Sequence, residues 1–134
     1  MSEQGIEIEE VKEYWKSEAD EALQVAIHLL EKEDYSYALF FGHLAIEKLL
    51  KGLYVVKKGE HAPPIHNLLR LVKAAGIKVD DSKTEALITI TAFNIESRYP
   101  DIKRSFRKKC NRQFTIEQMK NIKEILEWLR SLLP

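Results

Sequence analysis

Apolar residues in this chain recur at steps of three and four, and nowhere do they alternate. From Glu9 to Lys32, Val11, Trp15, Ala19, Ala22, Ala26 and Leu29 follow that spacing, the mark of an amphipathic helix. A second helical run, from Tyr35 to Lys57 behind Asp34 as its N-cap, is apolar around most of its circumference: Ala38, Leu39, Phe41, Ala45, Ile46, Leu49, Leu50, Leu53 and Val56. A helix that is apolar on most sides belongs at the centre of a bundle. Gly42 and Gly52 lie inside it, and each lowers helix propensity by about 1 kcal/mol. They therefore read as places where a neighbouring helix comes close.

Lys58-Gly59 ends this helix, and the prolines of Glu60-His-Ala-Pro-Pro-Ile65 keep the next segment extended. A short helix from about His66 to Ala75 closes on Gly76. Behind a capping region at Asp80-Asp81-Ser82, a fourth helix is expected over Lys83 to Ser97, burying Leu87, Ile90 and Phe93 and stopped by Pro100. Thr115-Ile-Glu-Gln118 has the form of a capping box, and the last helix carries Ile116, Met119, Ile122, Leu126 and Leu129 on one stripe. With short connections between them, these elements predict an all-α fold: an up-and-down antiparallel four-helix bundle with an additional short helix, five helices in all. One domain is expected over residues 1–134, with residues 1–8 as a tail.

Composition narrows the functional classes. The formal net charge of the 134 residues is zero, so the whole molecule exerts no general attraction on nucleic acid or anionic lipid. A single cysteine, Cys110, forms no internal disulfide and no metal cluster by itself. The acidic N-terminus lacks the basic start and apolar stretch of a signal peptide, and no apolar run approaches bilayer length. A cytoplasmic protein with no membrane association is the expectation. The charge is unevenly spread, however. Residues 1–34 hold eleven acids against three bases, whereas residues 101–112 hold six bases, Lys103, Arg104, Arg107, Lys108, Lys109 and Arg112, against Asp101. The basic stretch reads either as a solvated loop or as a nucleic-acid contact through Lys103, Arg104, Arg107 and Lys108.

The residues that could carry chemistry lie elsewhere. His43 and Glu47 stand four apart on the second helix, Lys51 continues the row one turn on, and Lys48 sits beside it. A polar row on so apolar a helix is either its water-facing stripe or one wall of a site, where a carboxylate fixes an imidazole and lysines meet an anion. His-x3-Glu supplies too few ligands for a closed zinc site, and no HExxH or cysteine cluster accompanies it; neither metal nor cofactor is expected. Arg98-Tyr99-Pro100-Asp101 falls where the fourth helix breaks. It is either a plain stop signal or a place where an arginine meets a phosphate.

Taken in order, Ala38-Leu-Phe-Phe-Gly-His43-Leu-Ala-Ile-Glu47-Lys48-Leu-Leu-Lys51, then His66-Asn67-Leu68-Leu69, then Ser97-Arg98-Tyr99-Pro100-Asp101 resemble the HEPN family (higher eukaryotes and prokaryotes nucleotide-binding). The resemblance covers nearly the whole chain. It implies a helical bundle that commonly forms a homodimer, with a polar cleft near the dimer seam, often paired with a minimal nucleotidyltransferase. Several members are metal-independent RNases or toxins restrained by that partner, and others bind nucleotide or RNA without cutting. It also implies a ligand site from His43, Glu47, Lys48, Lys51, His66, Arg98, Tyr99 and Asp101.

The chain departs from the RNase branch, in which an arginine is followed after four to six residues by a histidine. The histidines here are His28, His43, His61 and His66, and the first arginine is Arg70. No arginine precedes any histidine, so that motif is absent. The leading expectation is thus a non-catalytic or regulatory HEPN-type module acting with a nucleotidyltransferase in a toxin–antitoxin-like system. An atypical metal-independent RNase and a purely structural dimerising bundle are the alternatives.

Overall fold

The computed structural model describes residues 6–134. Among these residues six α-helices, one more than the five expected, follow one another: α1 (Ile8–Glu31), α2 (Tyr35–Lys58), α3 (Leu68–Ala74), α4 (Asp81–Thr91), α5 (Pro100–Lys109) and α6 (Arg112–Leu132). A 3-10 turn, Ile95–Ser97, lies between α4 and α5. The described residues contain no strand, so the fold is an all-helical bundle.

α2 is the centre of the bundle, as its broad apolarity requires. It packs along α1 and α6 and touches α3, α4 and α5, and Leu39, Ile46, Leu49, Leu50 and Leu53 on it are fully buried. Small side chains set how closely its neighbours lie. Ala19, Ala22 and Ala26 of α1 are buried against it. A methyl group on Gly52 would lie 3.2 Å from Trp15 Cβ, and one on Gly42 would lie 2.6 Å from Ile122 Cδ1 of α6. Both glycines are the close-approach points that the sequence indicates.

Three local expectations need correction. α4 ends at Thr91 rather than Ser97. Phe93 and Ile95 are both buried, and a two-residue spacing puts side chains on different sides of a helix, so the chain unwinds to bury both. Thr91 fixes this end: its hydroxyl donates to Leu87 O at 2.7 Å and accepts the Leu68 N–H at 3.1 Å. Secondly, the basic stretch is no loop. Pro100 does not only stop a helix but starts one, at the first position of α5, where a proline's missing N–H costs nothing. Phe106 anchors α5 with its ring 5.5 Å from that of Phe93. Thirdly, α6 begins before the expected capping box. Asn111 accepts the Phe114 N–H at 2.8 Å, while Thr115 is fully buried inside the helix and donates to Asn111 O at 2.7 Å. Asp34 is the N-cap of α2, as expected; its backbone carbonyl accepts from Ala38 N at 2.9 Å, and its side chain makes no cap hydrogen bond.

Of the tail expected over residues 1–8, residues 1–5 lie outside the described residues, Ile6 is buried and Ile8 already belongs to α1. Among the described residues no helix is long and apolar enough to cross a membrane.

Candidate functional site

The polar row of α2 does not face water. His43 is fully buried, and Glu47 and Lys51 are 5% and 8% exposed. Three consecutive turns of the most apolar helix thus place an imidazole, a carboxylate and an ammonium inside the protein, where each needs a partner. Lys51 Nζ donates to Glu47 Oε2 at 3.1 Å and lies 5.5 Å from the centre of the Trp15 ring of α1. Glu47 Oε1 accepts from His66 Nδ1 at 3.1 Å and stands 4.0 Å from His43 Nε2. His43 Nε2 donates in turn to the His66 backbone carbonyl at 3.0 Å.

His66 is therefore fastened twice, by its carbonyl and by its ring. The prolines do not keep this segment extended: a tight turn over Pro64, closed by the Ile65 N–H on Pro63 O at 2.8 Å, brings the chain to His66, and Asn67, the next residue, caps α3 by accepting the Arg70 N–H at 3.1 Å. Its side chain remains 62% exposed. Because Nδ1–H is given to Glu47, Nε2 is the ring atom left to face outward. It does so beside a cleft of about 290 Å³ lined by Phe40, Leu44, Asn94, Glu96 and Ser97.

Two buried polar atoms near this row are unpartnered: His43 Nδ1 and Arg98 Nε. Burial pushes the His43 imidazole below its ordinary pKa. The bond to the His66 carbonyl and the Glu47 charge oppose that push, and the charges of His66 and Arg98 add to it. Arg98, half-buried after the 3-10 turn, thus projects its charge onto α2. Glu47 and Lys51 balance one another. Arg98 makes no ion pair among the described residues, which gives this end of the site a surplus positive charge suited to an anion.

The fold thus gathers His43, Glu47, Lys51, His66 and Arg98 and leaves the other three expected residues apart. Lys48 pairs with Glu18 of α1 at 3.2 Å. Tyr99 is 77% exposed and Asp101 is also in solvent, at the start of α5. On α5 the charges divide as well: Lys103 lies 3.9 Å from Glu96, Arg107 lines a cleft with Glu33 and Asp34, and Arg104 and Lys108 are exposed one turn apart. Trp15 and the cleft residues escape sequence reasoning. Phe40 and Leu44 flank His43 in the chain, and Asn94, Glu96 and Ser97 run into Arg98, but an apolar pair and a helix end carry no chemical signal. Among the described residues no three His, Cys, Asp or Glu side chains converge as a metal site, and burial pushes the Cys110 thiol up to about 11, which keeps it protonated.

Known proteins agree with this architecture. The model of the HEPN domain matches residues 12–132. The crystal structure of TT1696 from Thermus thermophilus is similar, with a TM-score of 0.76 and 26% identity, over 91% of this chain and 98% of that one. No curated protein sequence matches the chain. The family match spans α1 through α6 and contains every residue of the buried row, His66 and Arg98; this chain belongs to the HEPN domain family.

Proposed function

We propose that this HEPN-domain chain is a non-catalytic, regulatory module that binds nucleotide or RNA, forms a homodimer, and acts in the cytoplasm beside a minimal nucleotidyltransferase as half of a toxin–antitoxin-like pair. The observation that carries the reading is the buried His43–Glu47–Lys51 row with His66 docked on it and the surplus charge of Arg98 at its edge. Charges are kept in an apolar helix at a cost, and here they hold the His66 imidazole where an anionic ligand can meet it together with the unpaired Arg98 guanidinium. Tyr99 and Asp101 stand in solvent and Lys48 is paired with Glu18, so none of the three is assigned to this site. Lys103, Arg104, Arg107 and Lys108 supply a separate face for RNA phosphates.

The test is ligand-dependent melting of the purified chain in EDTA. A ligand at a hundred times its Kd stabilises by about 2.7 kcal/mol, which for a domain of this size raises Tm by more than about 5 °C. ATP or a short RNA should do so, and Arg98→Ala should remove the shift. No shift with any nucleotide or RNA overturns the binding reading. Co-purification tests the partner: a nucleotidyltransferase should be retained on the tagged chain.

A second reading, a metal-independent RNase, is favoured by one observation. Arg98 and His66, far from His43 in sequence, both come within electrostatic reach of it, so the missing Arg-x4-6-His motif does not by itself remove the chemistry. RNA cleavage in EDTA that is lost on His43→Ala, His66→Ala or Arg98→Ala would replace the binding reading with this one.

A further inference from the structure

The chain has four histidines, and only one of them combines a buried carboxylate on one ring nitrogen with solvent on the other. His43 is fully buried. His28 and His61 are exposed and make no ion pair or side-chain hydrogen bond among the described residues. His66 gives Nδ1–H to Glu47 at 3.1 Å and turns Nε2 outward. Glu47 cannot swing away, because Lys51 holds its other oxygen at 3.1 Å and both lie inside the bundle. The His66 backbone is fixed as well, by His43. A carboxylate on one nitrogen sets the tautomer, aims the ring and raises the electron density of the other nitrogen, which is how a nucleophilic imidazole is prepared.

We propose that His66 Nε2 is a phosphoryl-accepting nucleophile, with Glu47 and Lys51 as its positioning residues. The Nε2 lone pair attacks the phosphorus of a donor with a labile P–N bond. The new N–P bond forms as the donor's P–N bond breaks, and ammonia departs with that electron pair. The ring becomes cationic, and its charge rests at Nδ1–H against the Glu47 carboxylate until that proton is released to solvent. No oxidant or reductant takes part. The phosphoryl group lands at the mouth of the cleft beside Asn94, Ser97 and Glu96, whose carboxylate is paired with Lys103 at 3.9 Å, and adds a charge of about −2 there. The inference requires neither nucleotide nor RNA binding, so it stands or falls separately from the proposed function.

The other histidines provide the comparison within one molecule. The whole chain is treated with potassium phosphoramidate at neutral pH, and the acid-labile phosphoryl groups are located by 31P NMR and by peptide mass spectrometry under basic conditions. His66 should be labelled at Nε2 about tenfold faster than His28 or His61, the scale on which an orienting partner typically acts. Glu47→Gln should reduce that advantage to about twofold. Equal labelling of the three exposed histidines, or labelling of His66 at Nδ1, overturns the proposal. So does a preference for His66 that persists in a folded Glu47→Gln variant. If that variant does not fold, the ratio in the unaltered chain still decides.

Discussion

Two parts of this molecule carry similar residues to opposite ends. The row on α2 and the face of α5 are both polar runs at helical spacing. On α2, His43, Glu47 and Lys51 lie inside the bundle, and each meets a partner. On α5 no residue is buried, and Arg104 and Lys108 stand in water. The difference is one of dielectric surroundings. Buried charges are strongly coupled, and removing one strands the other, whereas exposed charges are screened and nearly independent. The α2 row is therefore a fixed structure that positions His66, and α5 is a field that acts at a distance on whatever approaches.

The largest effect should come from breaking the row. Glu47→Ala leaves the Lys51 ammonium buried without its counter-charge and releases His66, and should cost about 3–5 kcal/mol of stability, measured by urea denaturation. The paired change Glu47→Leu with Lys51→Met should cost far less, because no charge is stranded. A Glu47→Ala cost no greater than that of the paired change would erase the distinction between the two regions.

On α5 the consequences should move from stability to binding. Replacing Lys103, Arg104, Arg107 and Lys108 together by Gln should lower RNA affinity about a hundredfold at low salt and flatten its salt dependence, with a loss of about 0.7 in slope for each phosphate contact removed. Affinity that stays flat between low and moderate salt in the unaltered chain would end this role for α5.

Acid should separate the regions next. His43 is held below its ordinary pKa by burial, so the unfolded chain takes up a proton below about pH 6.5 that the folded chain refuses. The His43 contribution is thus complete above that pH and is lost as the pH falls below it, by at most about 1.4 kcal/mol per pH unit. The urea midpoint should drop between pH 7.5 and 5.5, and His43→Gln should show a shallower drop. The smallest effect belongs to Arg104→Ala, which should shift Tm by no more than about 2 °C.

How much of the molecule is legible in its sequence follows from what each signal depends on. The long helices are readable because their apolar spacing is periodic over many turns, and Gly42 and Gly52 because a glycine in such a helix wants a reason. The α4–α5 region misleads because its competing cues are short-range: Pro100 both ends one run and opens the next, and Phe93 and Ile95 bury themselves at the expense of helical continuity. For the site, His43, Glu47 and Lys51 declare themselves as polar residues on an apolar helix. Whether that row faces water or protein cannot be read from α2 alone, because the answer lies in His66 on the next connection and in Trp15 on another helix. Arg98 is visible as a motif residue, and its reach to His43 exists only once the bundle forms.

The central claim, that the α2 row is a built support for His66, can be tested directly by long-range 1H–15N NMR of the imidazoles. The two rings should adopt opposite tautomers: His43 carrying its proton on Nε2, where it donates to the His66 carbonyl, and His66 carrying its proton on Nδ1, where it donates to Glu47. The His66 signals should change to the averaged pattern of a free surface histidine in Glu47→Gln. If His66 of the unaltered chain already shows that averaged pattern, the row does not hold it, and the account of the site is wrong.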